Sequence, residues 1–111
     1  MRKHRVLFVC SGNSERGPTA EQLFASDQWE SKSAGTNPLP GRNPLTQELI
    51  DWADIVLVMQ IKHAQHILTN FLVDEKKIEI LNVEDIYPRN NPELVRILKQ
   101  KVTPILERYH S

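Results

Sequence analysis

With 111 residues the chain has room for one hydrophobic core and not for two. Its 14 basic and 14 acidic residues cancel to a formal net charge of zero, which excludes a general field for nucleic acid or anionic lipid and leaves any attraction for phosphate to a local device. A single cysteine rules out an internal disulfide, so a reducing compartment, the cytoplasm, is the expected location.

The opening Met1-Arg2-Lys3-His4-Arg5 is basic, but the apolar run behind it is too short for a signal peptide, and no stretch is long enough to span a membrane. Val6-Leu7-Phe8-Val9 reads as a buried parallel strand that stops at Cys10. A turn follows, and Pro18 opens a helix running to about Ser26, with Ala20, Leu23 and Phe24 toward the sheet. The segment Glu30 to Ala34 is a polar second strand, suited to a sheet edge and anchored by Trp29. Gly35 to Pro44 holds three prolines and two glycines and is a loop leaving the same sheet edge as the cysteine turn.

A second helix is predicted from Leu45 to about Trp52, then a continuous β-branched strand from Asp54 to Met59. Ile61 to about Phe71 reads as a third helix. His63 and His66 lie three apart on it, and without a carboxylate or cysteine at ligand spacing they read as solvated surface histidines. Val73 to Lys77 is a charged turn and Ile78 to Leu81 a fourth strand. The last helix runs from Pro92 to about Tyr109, with Leu94, Val95, Leu98, Val102, Ile105 and Leu106 on one face and Pro104 expected to kink it or end its regular part. Strands alternating with helices predict an α/β fold in three layers: a four-stranded parallel sheet, order 2-1-3-4, with helices on both faces. That order puts the topological reversal beside the first strand, where Cys10 ends it.

Cys10-Ser11-Gly12-Asn13-Ser14-Glu15-Arg16 spells Cys-x5-Arg between a strand and a helix. A loop wrapped ahead of a helix points successive N–H groups into one concavity, and the helix adds free donors and the positive end of its dipole. Gly12 and Asn13 tolerate the left-handed dihedrals such a ring needs, and Arg16 can clamp two oxygens of an oxyanion. The same field is expected to favour the Cys10 thiolate. Ser11, Gly12, Asn13, Ser14 and Glu15 are thus the candidate phosphate-binding residues. Cys-x5-Arg alone is a common chance match, and a cysteine ending a strand is most often a small hydrophobe. The strand before, the glycine within and the Gly-Pro helix start after are what favour an anion site.

A thiolate attacking phosphorus needs an acid on the leaving-group side. Asp85 sits in Asn82 to Asn91, the loop leaving the fourth strand on the same edge. That strand lies about 10 Å from the first in the expected order, and Asp85, four residues past Leu81, spans at most roughly 13 Å. Glu84 is the competing acid, and Tyr87 is a candidate wall for an aromatic phosphoester.

These segments resemble the low-molecular-weight protein tyrosine phosphatase family, in its short bacterial form. The likeness is carried by Val6 to Glu21, by Ser33-Ala34-Gly35-Thr36, by Trp52 to Met59, and by Asp85-Ile86-Tyr87 ahead of Pro92-Glu93-Leu94-Val95. It implies a phosphatase-like domain over residues 1–111 and a cysteinyl-phosphate mechanism. In it Cys10 attacks, Arg16 and the loop amides hold the phosphoryl oxygens, and Asp85 protonates the leaving group and then activates water. No metal and no organic cofactor are implied. The implied substrate is a phosphorylated protein or small phosphomonoester, with inorganic phosphate as product and neither nucleic acid nor membrane as partner. Three features depart from the family's pattern: Gly17 where a serine or threonine usually follows the arginine, Glu15 beside that arginine and expected at the rim, and Ile86 in place of proline in a shortened chain. Gly17 and Glu15 keep a second reading open, a phosphate- or phosphoprotein-binding module with weak or no turnover. Arsenate reduction by an internal disulfide relay is excluded by the single cysteine.

Overall fold

The computed structural model describes residues 2–109; Met1, His110 and Ser111 lie outside it. In chain order it contains β1 (His4–Cys10), α1 (Arg16–Phe24), β2 (Trp29–Gly35), α2 (Gln47–Trp52), β3 (Ile55–Val58), α3 (Ile61–Asn70), a single 3-10 turn (Glu75–Lys77), β4 (Ile78–Ile80) and α4 (Pro92–Glu107). The four strands form one parallel sheet in the order β2-β1-β3-β4. The expected order is met because the two apolar runs, β1 and β3, take the centre and the polar β2 an edge.

Side chains alternate across the sheet, as strand geometry requires. Val6, Phe8 and Cys10 of β1 join Ile55 and Leu57 of β3 in a core closed by Ala20 of α1 and Leu94, Leu98, Val102 and Leu106 of α4. Leu7 and Val9 join Val56 and Val58 in a second core closed by Ile50 of α2 and Ala64 and Ile67 of α3. Each central strand is therefore buried on both faces, which is why its sequence is continuously apolar rather than alternating. Trp29 does anchor β2, with Tyr109 edge-on to its ring at 5.7 Å between centroids.

Element ends differ from the sequence reading by one or two residues in most elements, and three differences have a clear local cause. Helix α1 starts at Arg16 rather than Pro18, which places Pro18 inside the first turn, where its missing N–H has no partner to lose. Helix α2 starts at Gln47 rather than Leu45, because Thr46 caps it by accepting from the Leu49 N–H, while Leu45 donates its N–H back to the Gly35 carbonyl. Pro104 does not end α4, which continues to Glu107. Pro104 and Gln100 are both exposed, so the carbonyl deprived of a donor lies on the solvent side.

Candidate active site

The turn Ser11 to Glu15 is held from behind by the segment that follows β2. The Thr36, Asn37 and Leu39 N–H groups donate to the carbonyls of Cys10, Ser11 and Gly12 at 3.0, 2.9 and 3.1 Å. With these carbonyls drawn outward, the turn's amides face the other way. Asn13, at φ 55°, takes the left-handed conformation that completes the reversal. Its side chain is buried and points away from the cleft, donating to Ser33 Oγ at 2.9 Å and accepting from the Asn43 N–H at 3.1 Å. Ser33 in turn donates to Glu21 Oε1 at 2.7 Å.

Cys10 lies 2% exposed at the floor of a cleft of about 180 Å³, lined also by Gly12, Ser14, Glu15, Arg16, Leu39 and Asp85. The backbone N–H groups of Gly17 and Asn13 are hydrogen-bonded to its sulfur. Burial nevertheless pushes the thiol above its ordinary value; the two amides and Arg16 oppose that rise, and Asp85 adds to it. The expected bias toward thiolate is thus outweighed by burial. The sequence reading counted the donors and not the desolvation that comes with a cysteine closing a central strand.

Arg16 is 2% exposed, and its fork is already partly engaged. Nη1 donates to Gln60 Oε1 and to the Val83 carbonyl, both at 2.7 Å, and Nη2 lies 3.7 Å from Asp85 Oδ2. Asp85 is half exposed, at 51%, at the mouth of the cleft above a buried cation. The loop that carries it is fixed at both ends. Val83 donates its N–H to the Met59 carbonyl at 2.8 Å, and the Asn90 N–H donates at 3.0 Å to Thr19 Oγ1 in α1.

Of the residues singled out in the sequence, Cys10, Gly12, Ser14, Glu15, Arg16 and Asp85 meet in this cleft. Glu15, expected at the rim, lines the cleft, half-buried and ahead of the first turn of α1. Ser11 and Asn13 belong to the turn but direct their side chains into supporting contacts. Tyr87 is half-buried against the core on the α1 and α4 side and does not line the cleft; Leu39 supplies the apolar wall instead. Glu84, the competing acid, is exposed and outside the lining.

The reading of His63 as a solvated surface residue is wrong. It is 1% exposed and hydrogen-bonded at both ring nitrogens, to Ser11 Oγ at 2.9 Å and to the Gln60 N–H at 3.0 Å. The overlooked signal is its spacing from Ile67, one turn later on the buried face of α3. Its pKa is lowered to about 4 by burial first and then by Arg16 and Lys62, so the ring is neutral at pH 7. Among the described residues no group of three or more His, Cys, Asp and Glu could hold a metal ion, and no helix is long and apolar enough to cross a membrane.

No family model matches the chain. It is 28% identical to the protein-arginine-phosphatase of Bacillus subtilis (strain 168), in an alignment covering 86% of this chain and 92% of that protein. It superposes on the solution structure of a low molecular weight protein tyrosine phosphatase from Bacillus subtilis with a TM-score of 0.76 and 27% identity, covering 96% of this chain and 99% of that one. Its TM-score to the tyrosine phosphatase Wzb from Escherichia coli K30, crystallised in complex with phosphate, is 0.81, over 96% of this chain and 99% of that one. At 20% identity that last likeness speaks for the fold alone.

Proposed function

The chain is a short relative of the low-molecular-weight protein tyrosine phosphatases, and from that premise we propose that it is a cysteine-dependent phosphomonoesterase whose reaction centre is Cys10. The observation that carries this reading is the cradle around the sulfur: turn carbonyls held outward by Thr36, Asn37 and Leu39, with the amides of Gly17 and Asn13 on the sulfur.

A substrate phosphoryl group enters above Cys10, its oxygens received by the amides of Gly12 and of Ser14 to Arg16 and by the Arg16 guanidinium. A neutral thiol beside a phosphoester dianion carries the same number of protons as a thiolate beside the monoanion. Passing the thiol proton to a phosphoryl oxygen therefore arms the nucleophile without an external base. Sulfur then attacks phosphorus, the S–P bond forms as the P–O bond breaks, and Asp85, protonated from solvent before the step, gives that proton to the departing oxygen. In the second step Asp85 takes a proton from the water that attacks phosphorus, and inorganic phosphate and the Cys10 sulfur separate. The relatives' names supply two substrate classes, phosphotyrosine, whose P–O bond this step breaks, and phosphoarginine, whose leaving atom is nitrogen; the reading here is a phosphorylated protein or a small phosphomonoester.

The test is hydrolysis of p-nitrophenyl phosphate by the wild type, Cys10→Ser and Asp85→Asn. Saturable turnover that phosphate or vanadate inhibits, lost in the serine variant, is the expected result. The raised thiol, the glycine at 17 and the carboxylate at 15 favour one alternative, a module that binds phosphate without turning it over. Phosphate binding with no Cys10-dependent hydrolysis decides for it.

A further inference from the structure

A buried imidazole is costly unless both ring nitrogens are satisfied. At His63 the partners fix the tautomer. The Gln60 main-chain N–H is only a donor, so Nδ1 accepts from it and carries no proton, which leaves the proton on Nε2 to be donated to Ser11 Oγ. Ser11 follows the nucleophile directly, and its carbonyl is held from the opposite side by the Asn37 N–H at 2.9 Å. The residue is thus pinned through its side chain by α3 and through its main chain by the segment after β2.

The same turn of α3 reaches the other end of the cradle, since Gln60 Oε1 accepts from Arg16 Nη1 at 2.7 Å. Gln60 and His63 are themselves tied together twice, because the His63 N–H also donates to the Gln60 carbonyl at 3.0 Å. We propose that His63 is a positioning residue for phosphate binding: held by Gln60, it fixes Ser11, so that one helical turn sets both ends of Cys-x5-Arg at the separation an oxyanion requires. This rests on the phosphatase reading of the cleft. A histidine that only filled the core would not need its outer nitrogen on the turn; here the donor lands on the first residue after Cys10. Release of that bond leaves Ser11 held through its main chain alone, beside Gly12 and Ser14, which line the cleft.

Two substitutions separate the two bonds. In His63→Asn the side-chain oxygen still reaches the Gln60 N–H but nothing reaches Ser11. In His63→Gln the longer amide reaches Ser11 and gives up the acceptor at the helix start. Inorganic phosphate affinity by calorimetry, KM and kcat for p-nitrophenyl phosphate, and the melting temperature are measured for each. Loss of one neutral hydrogen bond predicts phosphate affinity about fivefold weaker and KM raised in proportion for His63→Asn, which also melts below the wild type because the smaller side chain leaves a cavity and the Ser11 hydroxyl without its partner. His63→Gln is expected to recover affinity to within about twofold while melting lower. Ser11→Ala added to His63→Asn should weaken binding no further. An Asn variant that binds phosphate as tightly as a phosphate-binding wild type overturns the assignment to His63 alone, as does affinity that simply follows melting temperature across both variants. A wild type that binds no phosphate overturns the phosphatase reading and this inference with it.

Discussion

Arg16 Nη1 donates to the Val83 carbonyl at 2.7 Å, joining the first residue of α1 to the start of the loop that carries Asp85. The cation proposed to bind phosphate thus also fixes the start of the loop from which the proposed acid projects. Arg16→Lys keeps the charge but replaces a planar fork with a point donor in a site 2% exposed. Hydrogen bonds to charged groups are worth about 1.5 to 3 kcal/mol each, so phosphate affinity is expected to fall by about 10- to 150-fold per bond lost. Calorimetric titration with phosphate measures it. A lysine variant with wild-type affinity would mean that the fork's geometry is irrelevant.

Asp85 acts on two observables in opposite directions. Its charge helps hold the Cys10 thiol up, so Asp85→Asn makes the thiolate easier to form. Alkylation by iodoacetamide at a fixed pH of about 8 should therefore quicken, while turnover of p-nitrophenyl phosphate falls by about 10² to 10⁴ as the proton donor is lost. A variant that loses both reactivity and turnover would point to a collapsed cleft rather than a missing acid.

Two glycines hold the cradle closed, at different tolerances. A Cβ on Gly35 would lie 2.4 Å from the Ser11 carbonyl oxygen, a main-chain atom that is itself bonded to Asn37. Gly35→Ala must displace the turn and is expected to cost about 1 to 3 kcal/mol in thermal or urea denaturation. On Gly17 a Cβ would lie 3.1 Å from Cys10 Sγ and 3.3 Å from the Ser33 Cβ, so each neighbour must give by only a few tenths of an ångström. Gly17→Ser then brings a hydroxyl to the sulfur. The alkylation profile should move to lower pH by about one to two units, the equivalent of a hydrogen bond to a charged group, for a small loss of melting temperature.

The cysteine turn and the strand order were legible because they are written in short local patterns. Val6 to Val9 and Ile55 to Val58 have no polar residue to offer solvent, which forces both to the centre, and the glycine and asparagine of the turn mark where the chain must reverse. The support of the site was not legible in that way. Asn13, Ser33 and Glu21 form one chain of hydrogen bonds across two elements, and nothing in their spacing announces it. His63 was misread because it was paired with His66 as a half-site, when its meaningful neighbour on the helix is Ile67. Leu39 displaced Tyr87 as the cleft wall because the loop after β2 is bonded back onto Gly12, a tertiary contact that composition alone does not specify. The raised thiol has the same origin, since desolvation depends on how deeply β1 is covered.

His63 also sets a pH dependence of stability. Its folded pKa of about 4 lies below the ordinary histidine value of 6.5. Above pH 6.5 both folded and unfolded chains hold the ring neutral, and its full contribution is present. As pH falls from 6.5 toward 4 the unfolded chain takes up a proton that the folded one refuses, so stability falls with pH, and below about 4 the loss levels off. Between pH 7 and 5 the ring accounts for about 1.5 pH units of linkage, roughly 2 kcal/mol. That window lies above the range where most carboxylates titrate. His63→Asn, which has no proton to take up, should flatten the urea-denaturation profile over it by that amount, with the other three histidines of the sequence common to both proteins. Equal slopes in the two proteins would show that the ring titrates alike folded and unfolded, and that burial of the imidazole against Ser11 and Gln60 is not maintained in solution.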